Sequence, residues 1–343
     1  MPVPAHADRA PDRSGTIPGP VIRDMTRRHG RGPAVDTREH RRQLINIPLV
    51  LRNHAVAAGA ERWLRDLPAL VNHLEEQWDI TVGRPLAGAT EAYVAEVATG
   101  AGQPAVLKIL VPLSGTRARH EITALRLADG QGCVALLRDD PGLGALLLEW
   151  LGPSLFELGV PIVRRQEILC DTAARVWRPA SDHGLPTGAD RARRLAAWVT
   201  ESWERLNHPC SERAIEDALG CARRRATAHD DERAVLVHGD LHQLNALQAG
   251  AGFKLIDPDG VLAEPECDLG TVMRGDPVEL LQGDPQERAR RLGARAGLDA
   301  TAIWEWGVIE RVASGLHCTE IDLQTLGRQT LAAADAVAGH EMA

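Results

Sequence analysis

One segment of the chain, VLVHGDLHQLNALQ (235–248), limits the folds open to this sequence more than any other. A short apolar strand leads into a loop that carries Asp240, and Asn245 follows five residues later. A second apolar run, FKLI (253–256), leads into Asp257. We interpret the two runs as hairpinned strands with an acid in the loop after each strand and an amide between them. The pattern predicts three oxygen-bearing side chains at one end of a small sheet.

Side chains of these three types are what phosphoryl transfer requires. A hydroxyl nucleophile needs a carboxylate to accept its proton, and Mg²⁺ needs hard oxygen ligands while it bridges the phosphates of ATP. We expect Asp240 to be the base, and Asn245 and Asp257 to hold Mg²⁺. A lone His-Gly-Asp is more often an ordinary turn, but H-x-D-x4-N followed by an apolar residue, Ile and Asp is the catalytic set of kinases.

A lysine in an apolar strand supplies a further part of the predicted site. Lys108 lies within AVLKIL (105–110), where a charge is costly unless it is paired. Kinases use such a lysine on the α- and β-phosphates. Glu121 is the candidate partner, because it is the first acid of the helix predicted at 117–128. The alternatives are a lysine on the solvent face of the sheet and a solvated helix glutamate.

Two further segments are candidates for nucleotide contacts. The turn at 85–90 carries Gly88 and Thr90, whose backbone amides and hydroxyl could cover the phosphates. It lacks a G-x-G-x-x-G pattern, so an ordinary hairpin turn is an open alternative. The strand LLLEWL (146–151) leaves the predicted sheet, and the main chain of Glu149 and Leu151 is expected to contact adenine at this hinge.

The order of predicted elements divides the chain into a tail and two lobes. Residues 1–42 are rich in Pro, Arg, Gly and Asp without an apolar period, so we expect a disordered tail. Residues 45–151 are predicted to form the small lobe, in which residues 81–151 make a small, mostly antiparallel sheet that carries one helix. Residues 152–340 are predicted to be mainly helical, with strands at 235–237 and 253–256. The fold class is therefore α+β.

The predicted elements have the following bounds. In the small lobe we expect a helix at 59–66, a second helix that begins at Pro68, and strands within 81–98 and at 105–111, 133–138 and 145–151. In the large lobe the helical periods cover 164–177, 190–206, 211–228, 286–296 and 300–317.

Composition excludes several classes of protein. The net charge of −8 argues against a nucleic-acid partner and suits a cationic small-molecule substrate. No apolar run reaches the length of a membrane helix, so we expect a cytoplasmic protein without membrane contacts. The six cysteines include no Cys-x-x-Cys pair, and we expect reduced thiols packed as small apolar side chains.

With these motifs the chain resembles the aminoglycoside phosphotransferases, and among them the streptomycin 6-phosphotransferases and hydroxyurea-type antibiotic kinases. The resemblance implies a two-lobed, protein-kinase-like fold with the active site between the lobes. It implies that Asp268 supports the catalytic loop through backbone amides and that His238 packs below Asp240. His242 stands where protein kinases have a lysine and is a candidate for the γ-phosphate. The segments that carry the resemblance are 61–78, 105–110, 146–155, 238–247 and 256–269.

The substrate is the least determined part of the prediction. The acidic loop after Asp257 suits a polycation, with Glu264 and Glu266 as candidate contacts. Trp304 and Trp306 fall on different faces of a helix, and core packing is favoured over a substrate wall. We expect an O-phosphotransferase that inactivates a streptomycin-like aminoglycoside. A metabolic or biosynthetic kinase with another substrate, or an inactive nucleotide-binding protein, are the alternatives.

Overall fold

A five-stranded antiparallel sheet forms the small lobe in the computed structural model, which describes residues 45–112, 116–180 and 184–342. Side chains alternate between its two faces: Leu146 and Leu148 face the large lobe, whereas Ala145 and Leu147 face outward. In spatial order the strands are β1 (Ile80–Pro85), β2 (Ala92–Thr99), β3 (Pro104–Leu110), β5 (Ala145–Glu149) and β4 (Leu136–Asp140).

Two helices cover the outer face of this sheet, α1 (Leu49–Ala57) and α2 (Glu61–Trp78). Sequence analysis predicted a break before Pro68, but α2 is continuous and contains this proline. An internal proline costs a helix about 3 kcal/mol. The fully buried Leu67 and Val71 offset this cost, because each buried aliphatic side chain contributes about 1.5–3 kcal/mol. The helix α1 was not predicted.

The inner face of the sheet packs against α3 (Arg117–Ala128), whose bounds agree with the prediction. The helix ends at Asp129, which adopts a left-handed conformation (φ 48°) before Gly130. Lys108 pairs in register with Leu146 and therefore lies on the same inner face. This placement excludes the alternative in which the lysine lies on a solvent-exposed face of the sheet.

The large lobe is mainly helical, as predicted. Thr187 begins one of its helices with a capping box to Asp190, and Ser211 caps the next helix. The helices are α4 (Ile162–Ala173), α5 (Gly188–Arg205), α6 (Glu212–Ala228), α7 (Glu266–Met273), α8 (Pro277–Leu280), α9 (Glu287–Ala296), α10 (Ala300–Glu320) and α11 (Gln324–Val337). Of these, α7, α8 and α11 were not predicted.

Two small antiparallel sheets carry the motif loops, and here the predicted pairing was wrong. The predicted strands at 235–237 and 253–256 correspond to β6 (Val235–Val237) and β8 (Gly252–Leu255), but these two do not pair with each other. Instead β8 forms a hairpin with β7 (Ala246–Ala249), and β6 pairs with β9 (Val261–Ala263). A turn at residues 250–251 brings β7 and β8 together directly, which leaves β6 for another partner.

Several smaller predictions can be compared with the described residues. All six cysteines are free and buried. Trp304 and Trp306 are both buried, which agrees with core packing. In the described part of the chain, no helix combines the length and apolar character needed to cross a membrane. The predicted tail at 1–42 lies outside the described residues.

Candidate active site

Lys108 is the centre of a cluster that joins the two lobes, in which Lys108 and Glu121 are buried and the Asp257 side chain is 48% exposed. Its Nζ lies 2.6 Å from Glu121 Oε1 and 2.9 Å from Asp257 Oδ1. We call Lys108, Glu121 and Asp257 the lysine cluster. Burial alone would lower the pKa of Lys108, but the charges of Asp257 and Glu121 raise it above its ordinary value. The lysine is therefore a permanent cation, and the ion pair predicted with Glu121 is present.

The β7–β8 hairpin aligns Asn245 with Asp257. The backbone N–H of Ile256 donates to the carbonyl oxygen of Asn245 at 2.9 Å, so the two ligand candidates flank the open end of one hairpin. The Nδ2 of Asn245 lies 3.1 Å from Asp240 Oδ2. The structure thus brings together the three side chains that sequence analysis singled out, although they come from loops after different sheets.

His238 connects the two loops from below. Its ring is fully buried, and Nε2 lies 2.9 Å from the carbonyl oxygen of Ile256. Its Nδ1 accepts a hydrogen bond from the backbone N–H of Asp240 at 3.2 Å. Because Nδ1 is an acceptor, Nε2 carries the proton and donates to the carbonyl. This is the packing position that the family resemblance implied for His238.

The helix α7 holds the catalytic loop through its backbone. The carboxylate of Asp268 accepts hydrogen bonds from the N–H groups of His238 (3.0 Å) and Gly239 (2.7 Å). Thr271 Oγ1 accepts a further bond from the N–H of Leu241 at 3.0 Å. The contact implied for Asp268 is therefore present, whereas the contribution of Thr271 was not foreseen.

An arginine that sequence analysis missed contacts the candidate base directly. Arg274, the residue after α7, pairs through Nη2 with Asp240 Oδ1. Its Nη1 lies 3.1 Å from Glu310 Oε2, and the other oxygen of Glu310 lies 2.6 Å from Arg191 Nη2. We call Arg191, Arg274 and Glu310 the arginine cluster. In the sequence, the only sign of a role for Arg274 is that it follows Asp268 and Thr271 at three-residue spacing.

Asp240 is surrounded by donors on both carboxylate oxygens. Besides Arg274 and Asn245, His242 Nε2 lies 3.3 Å from Asp240 Oδ2. Burial would raise the pKa of Asp240, but the charges of His242 and Arg274 hold it well below its usual range. Asp240 is therefore ionised at neutral pH. The structure places His242 beside the base, and its predicted contact with the γ-phosphate stays a prediction.

The oxygen donors at the site fit Mg²⁺ held jointly with phosphates. Asn245 uses its amide nitrogen on Asp240, which leaves the amide oxygen as a ligand, and Asp257 uses Oδ1 on Lys108, which leaves Oδ2. Within the described ranges, no group of three or more His, Cys, Asp or Glu side chains could hold a metal alone. Mg²⁺ commonly takes one or two protein ligands and completes its shell with water and phosphate.

A cavity of about 150 Å³ connects the lysine cluster with the turn between β1 and β2. Gly88 and Thr90 line this cavity together with Lys108, Glu121 and Asp257. Gly88 has a positive φ of 97°, which suits glycine and tightens the turn over the cavity. The structure thus brings both turn residues to the side of the site where phosphates are expected.

A second cavity, of about 650 Å³, lies where the chain passes between the lobes. Glu149, Leu151 and Lys254 are among its lining residues. The backbone N–H of Glu149 donates to the carbonyl of Ala135, and the Glu149 side chain pairs with Lys254. Both predicted hinge residues, Glu149 and Leu151, therefore border a space suited to the adenine ring. The backbone N–H of Glu149, however, is already engaged by Ala135.

The two acids predicted to meet substrate have internal partners. Glu264 Oε1 accepts a hydrogen bond from Trp306 Nε1 at 2.7 Å and lies 3.3 Å from Arg225 Nη1. Glu266 Oε1 accepts from the backbone N–H of Asp299 at 3.1 Å. Both contacts are with parts of the large lobe, and neither carboxylate contacts the other candidate site residues.

The comparisons with known proteins agree with this geometry. A family model described as aminoglycoside/hydroxyurea antibiotic resistance kinase matches residues 77–321. The chain is 29% identical over 309 residues to the streptomycin 6-kinase of Streptomyces glaucescens, covering 87% of this chain and 99% of that protein. It is 32% identical over 233 residues to the hydroxyurea phosphotransferase of Kitasatospora aureofaciens, covering 66% and 65% of the two chains.

Solved structures share the fold at low sequence identity. A thermostable mutant of the aminoglycoside phosphotransferase APH(4)-Ia, in a ternary complex with ADP and hygromycin B, superposes with a TM-score of 0.55 at 14% identity and covers 79% of this chain and 99% of that one. The choline kinase LicA from Streptococcus pneumoniae superposes with a TM-score of 0.54 at 14% identity, covering 78% and 98%. The two-lobed kinase-like fold is thus confirmed. On the extent of the family match, the chain belongs to the aminoglycoside/hydroxyurea antibiotic resistance kinases and is a small-molecule phosphotransferase.

Proposed function

We propose that this protein uses Mg²⁺-ATP to phosphorylate a hydroxyl group of an aminoglycoside, with streptomycin-like compounds as first candidates, and thereby confers resistance. The observation that carries the phosphotransfer is the convergence of Asp240, Asn245 and Asp257 with Lys108 at one site. A base, two oxygen ligands and a phosphate-binding cation are the parts that phosphotransfer needs.

Each residue has a defined task in this proposal. Lys108, held by Glu121, binds the α- and β-phosphates, and the turn with Gly88 and Thr90 covers them. Asn245 and Asp257 hold Mg²⁺, which neutralises charge on the phosphates when it is bound. Asp240 accepts the proton of the acceptor hydroxyl; Arg274 engages its Oδ1, and Asn245 and His242 contact its Oδ2. Once its proton is transferred to Asp240, the hydroxyl oxygen attacks the γ-phosphate in line and forms the new O–P bond. The bond between the γ-phosphorus and the β,γ-bridging oxygen breaks, and ADP leaves.

The aminoglycoside as acceptor is supported by similarity rather than by contacts. The streptomycin 6-kinase of S. glaucescens matches along 99% of its length, so both lobes and the region between them correspond. Identity of 29% leaves room for a different acceptor site. Activity on streptomycin with ATP therefore forms the first hypothesis to test.

One observation favours a second candidate, a kinase for a less cationic acceptor. The acidic loop predicted to attract a polycation is largely neutralised by arginines. Asp259 pairs with Arg191, Glu264 with Arg225, Asp276 with Arg165, and Glu279 with Arg288. This candidate covers hydroxyurea-type compounds and metabolic or biosynthetic acceptors on the same site.

A coupled ADP-release assay distinguishes the candidates. Purified protein is given Mg²⁺-ATP and a panel of streptomycin, other aminoglycosides and hydroxyurea, with Asp240→Asn as the control. Turnover on streptomycin, with a phosphorylated product in the mass spectrum, is the expected result. Turnover on hydroxyurea alone would favour the second candidate. Absence of turnover and of ATP hydrolysis in the wild type would contradict a phosphotransferase and favour the inactive nucleotide-binding alternative.

A further inference from the structure

The geometry points to Arg274 as a positioning residue that holds the Asp240 carboxylate in place for transfer, an inference that rests on the proposed function. No motif identified this arginine, and it lies outside the base, metal and phosphate positions. Its guanidinium bridges Asp240 and Glu310, which are 70 residues apart in the chain.

The first argument comes from the spacing along α7. Asp268, Thr271 and Arg274 are three residues apart, so they project from one side of the helix and its last turn. Asp268 holds the backbone N–H groups at the start of the catalytic loop, and Thr271 holds that of Leu241. Arg274 holds the side chain of the one residue between them, Asp240. The same helix side therefore fixes successive parts of the loop.

The second argument is that Arg274 is itself held by a buried acid. Glu310 is 2% exposed, and its carboxylate lies between Arg274 and Arg191. The helices that precede Arg274 and carry Glu310 can approach this closely because residue 270 is glycine. A Cβ at this position would lie 2.2 Å from the Cβ of Trp306. The helices α7 and α10 therefore touch through backbone at Gly270 and Trp306. Arg274 and Glu310 each follow this contact by four residues, which is one helical turn.

The third argument is that Arg191 extends the same support to both loops of the site. Its Nη2 donates to the carbonyl oxygen of Gly239 at 2.7 Å, next to the base. Its Nη1 lies 3.1 Å from Asp259 Oδ2, two residues beyond Asp257. Glu310 thus connects Arg274, which contacts Asp240, with Arg191. Arg191 in turn joins the loop that carries Asp240 to the loop that carries Asp257.

Arg274 affects the orientation of the Asp240 carboxylate as well as its charge. Arg274 engages Oδ1 while Asn245 and His242 contact Oδ2, so Arg274 is the contact that fixes where Oδ1 lies. Without Arg274, only Asn245 and His242 would restrain Asp240, and both contact the same oxygen. A base displaced by about 1 Å can cost about 10²-fold in rate. ATP binding, which depends on the lysine cluster, is not affected by this displacement.

The test is steady-state kinetics of Arg274→Ala with the acceptor that the wild type uses. We expect kcat to fall by about 10–10²-fold, with the KM for ATP within about twofold of wild type. Added guanidinium at millimolar concentration should restore part of kcat, because it can occupy the space between Asp240 and Glu310. The kcat of Arg274→Lys should lie between those of the wild type and Arg274→Ala, because an ammonium group lacks the planar fork with which arginine engages both carboxylates.

The matched control is Arg165→Ala, which removes a similarly buried arginine that pairs with Asp276 and does not contact Asp240. It should change kcat less than Arg274→Ala and should not respond to guanidinium. Unchanged kcat in Arg274→Ala, or a loss that follows thermal unfolding and is not rescued, would overturn the inference.

A crystal structure of Arg274→Ala separates this inference from the proposed function, because it needs no substrate. The carboxylate of Asp240 should leave the position that it has in wild-type crystals. An unchanged carboxylate would overturn the positioning role even if the wild type proves to be an active kinase. A displaced carboxylate in a protein that phosphorylates nothing on the panel would support the role and contradict only the proposed substrate.

Discussion

The lysine cluster and the arginine cluster both hold charged groups beside the site, but they connect different parts of the molecule. The lysine cluster sets one cation, Lys108, against two carboxylates, Glu121 and Asp257, and joins the two lobes. The arginine cluster lies within the large lobe and, counted with Asp240, sets two cations against two carboxylates. Asp259 also reaches Arg191, from a side chain that is 43% exposed and thus comparable to Asp257 at 48%.

This difference indicates what each cluster is for. In the proposed function, Mg²⁺ supplies the cation that balances the second carboxylate of the lysine cluster, that of Asp257. The arginine cluster contacts the candidate base, Asp240, and takes no part in binding nucleotide or metal in this proposal. We therefore expect changes in the lysine cluster to act on nucleotide and metal use, and changes in the arginine cluster to act on the base and on stability.

The largest effect is expected from Asp257→Ala, which removes the second carboxylate of the lysine cluster and a proposed Mg²⁺ ligand. We expect Mg²⁺-ATP-dependent activity to be abolished, because a principal electrostatic contact of the site is removed. Titration of activity against Mg²⁺ measures the effect. Asp171→Ala, at an exposed pair with Arg295, is the matched control and should behave as wild type. Activity within tenfold of wild type would contradict the metal role.

The next effect is expected from Asp240→Ala, which changes the base without touching the lysine cluster. We expect kcat to fall by about 10²–10⁴-fold, the usual contribution of a positioned base. Calorimetric titration should show Mg²⁺-ATP binding close to that of wild type. Loss of both Mg²⁺-ATP binding and kcat would contradict the expectation that the base and the nucleotide site can be changed independently.

Sequence analysis predicted the Lys108–Glu121 pair of the lysine cluster and missed the arginine cluster, for a physical reason. Lys108 was recognisable because a charge within an apolar strand requires a partner, and Glu121 is only thirteen residues away. Arg191 and Glu310 are 119 residues apart on two helices. Their pairing depends on how α5, α7 and α10 pack, and no local period or spacing encodes that packing.

The fold shows the same division between local and distant information. The helix α3 and the strands of the small lobe follow local patterns and were found within a few residues. The strand β9 has three residues and is recognisable only through its partner β6, so the pairing of the motif strands was predicted incorrectly. Pro68 suggested a helix start by local preference, but burial of α2 against the sheet prevailed.

A stability measurement compares one buried acid from each cluster, Glu310 and Glu121. Glu310→Ala leaves two buried arginines without their shared carboxylate, so we expect the free energy of unfolding to fall by about 3–5 kcal/mol. Glu121→Ala leaves Lys108 paired with Asp257, so we expect a smaller loss of about 1–3 kcal/mol. Urea denaturation at constant pH measures both. The reverse order would contradict the expectation that the two arginines depend more on Glu310 than Lys108 depends on Glu121.

The smallest effect is expected at a third ion pair, between Lys254 on β8 and Glu149 on β5, which also joins the lobes. Both side chains are about one quarter exposed, and pairs screened by water contribute at most about 1 kcal/mol. We expect Lys254→Ala to change the free energy of unfolding by no more than this. Because both residues line the cavity between the lobes, the KM for ATP should change more than kcat does. A large loss of kcat with an unchanged KM for ATP would show that contacts between the lobes, rather than the lysine cluster alone, govern the alignment of the site.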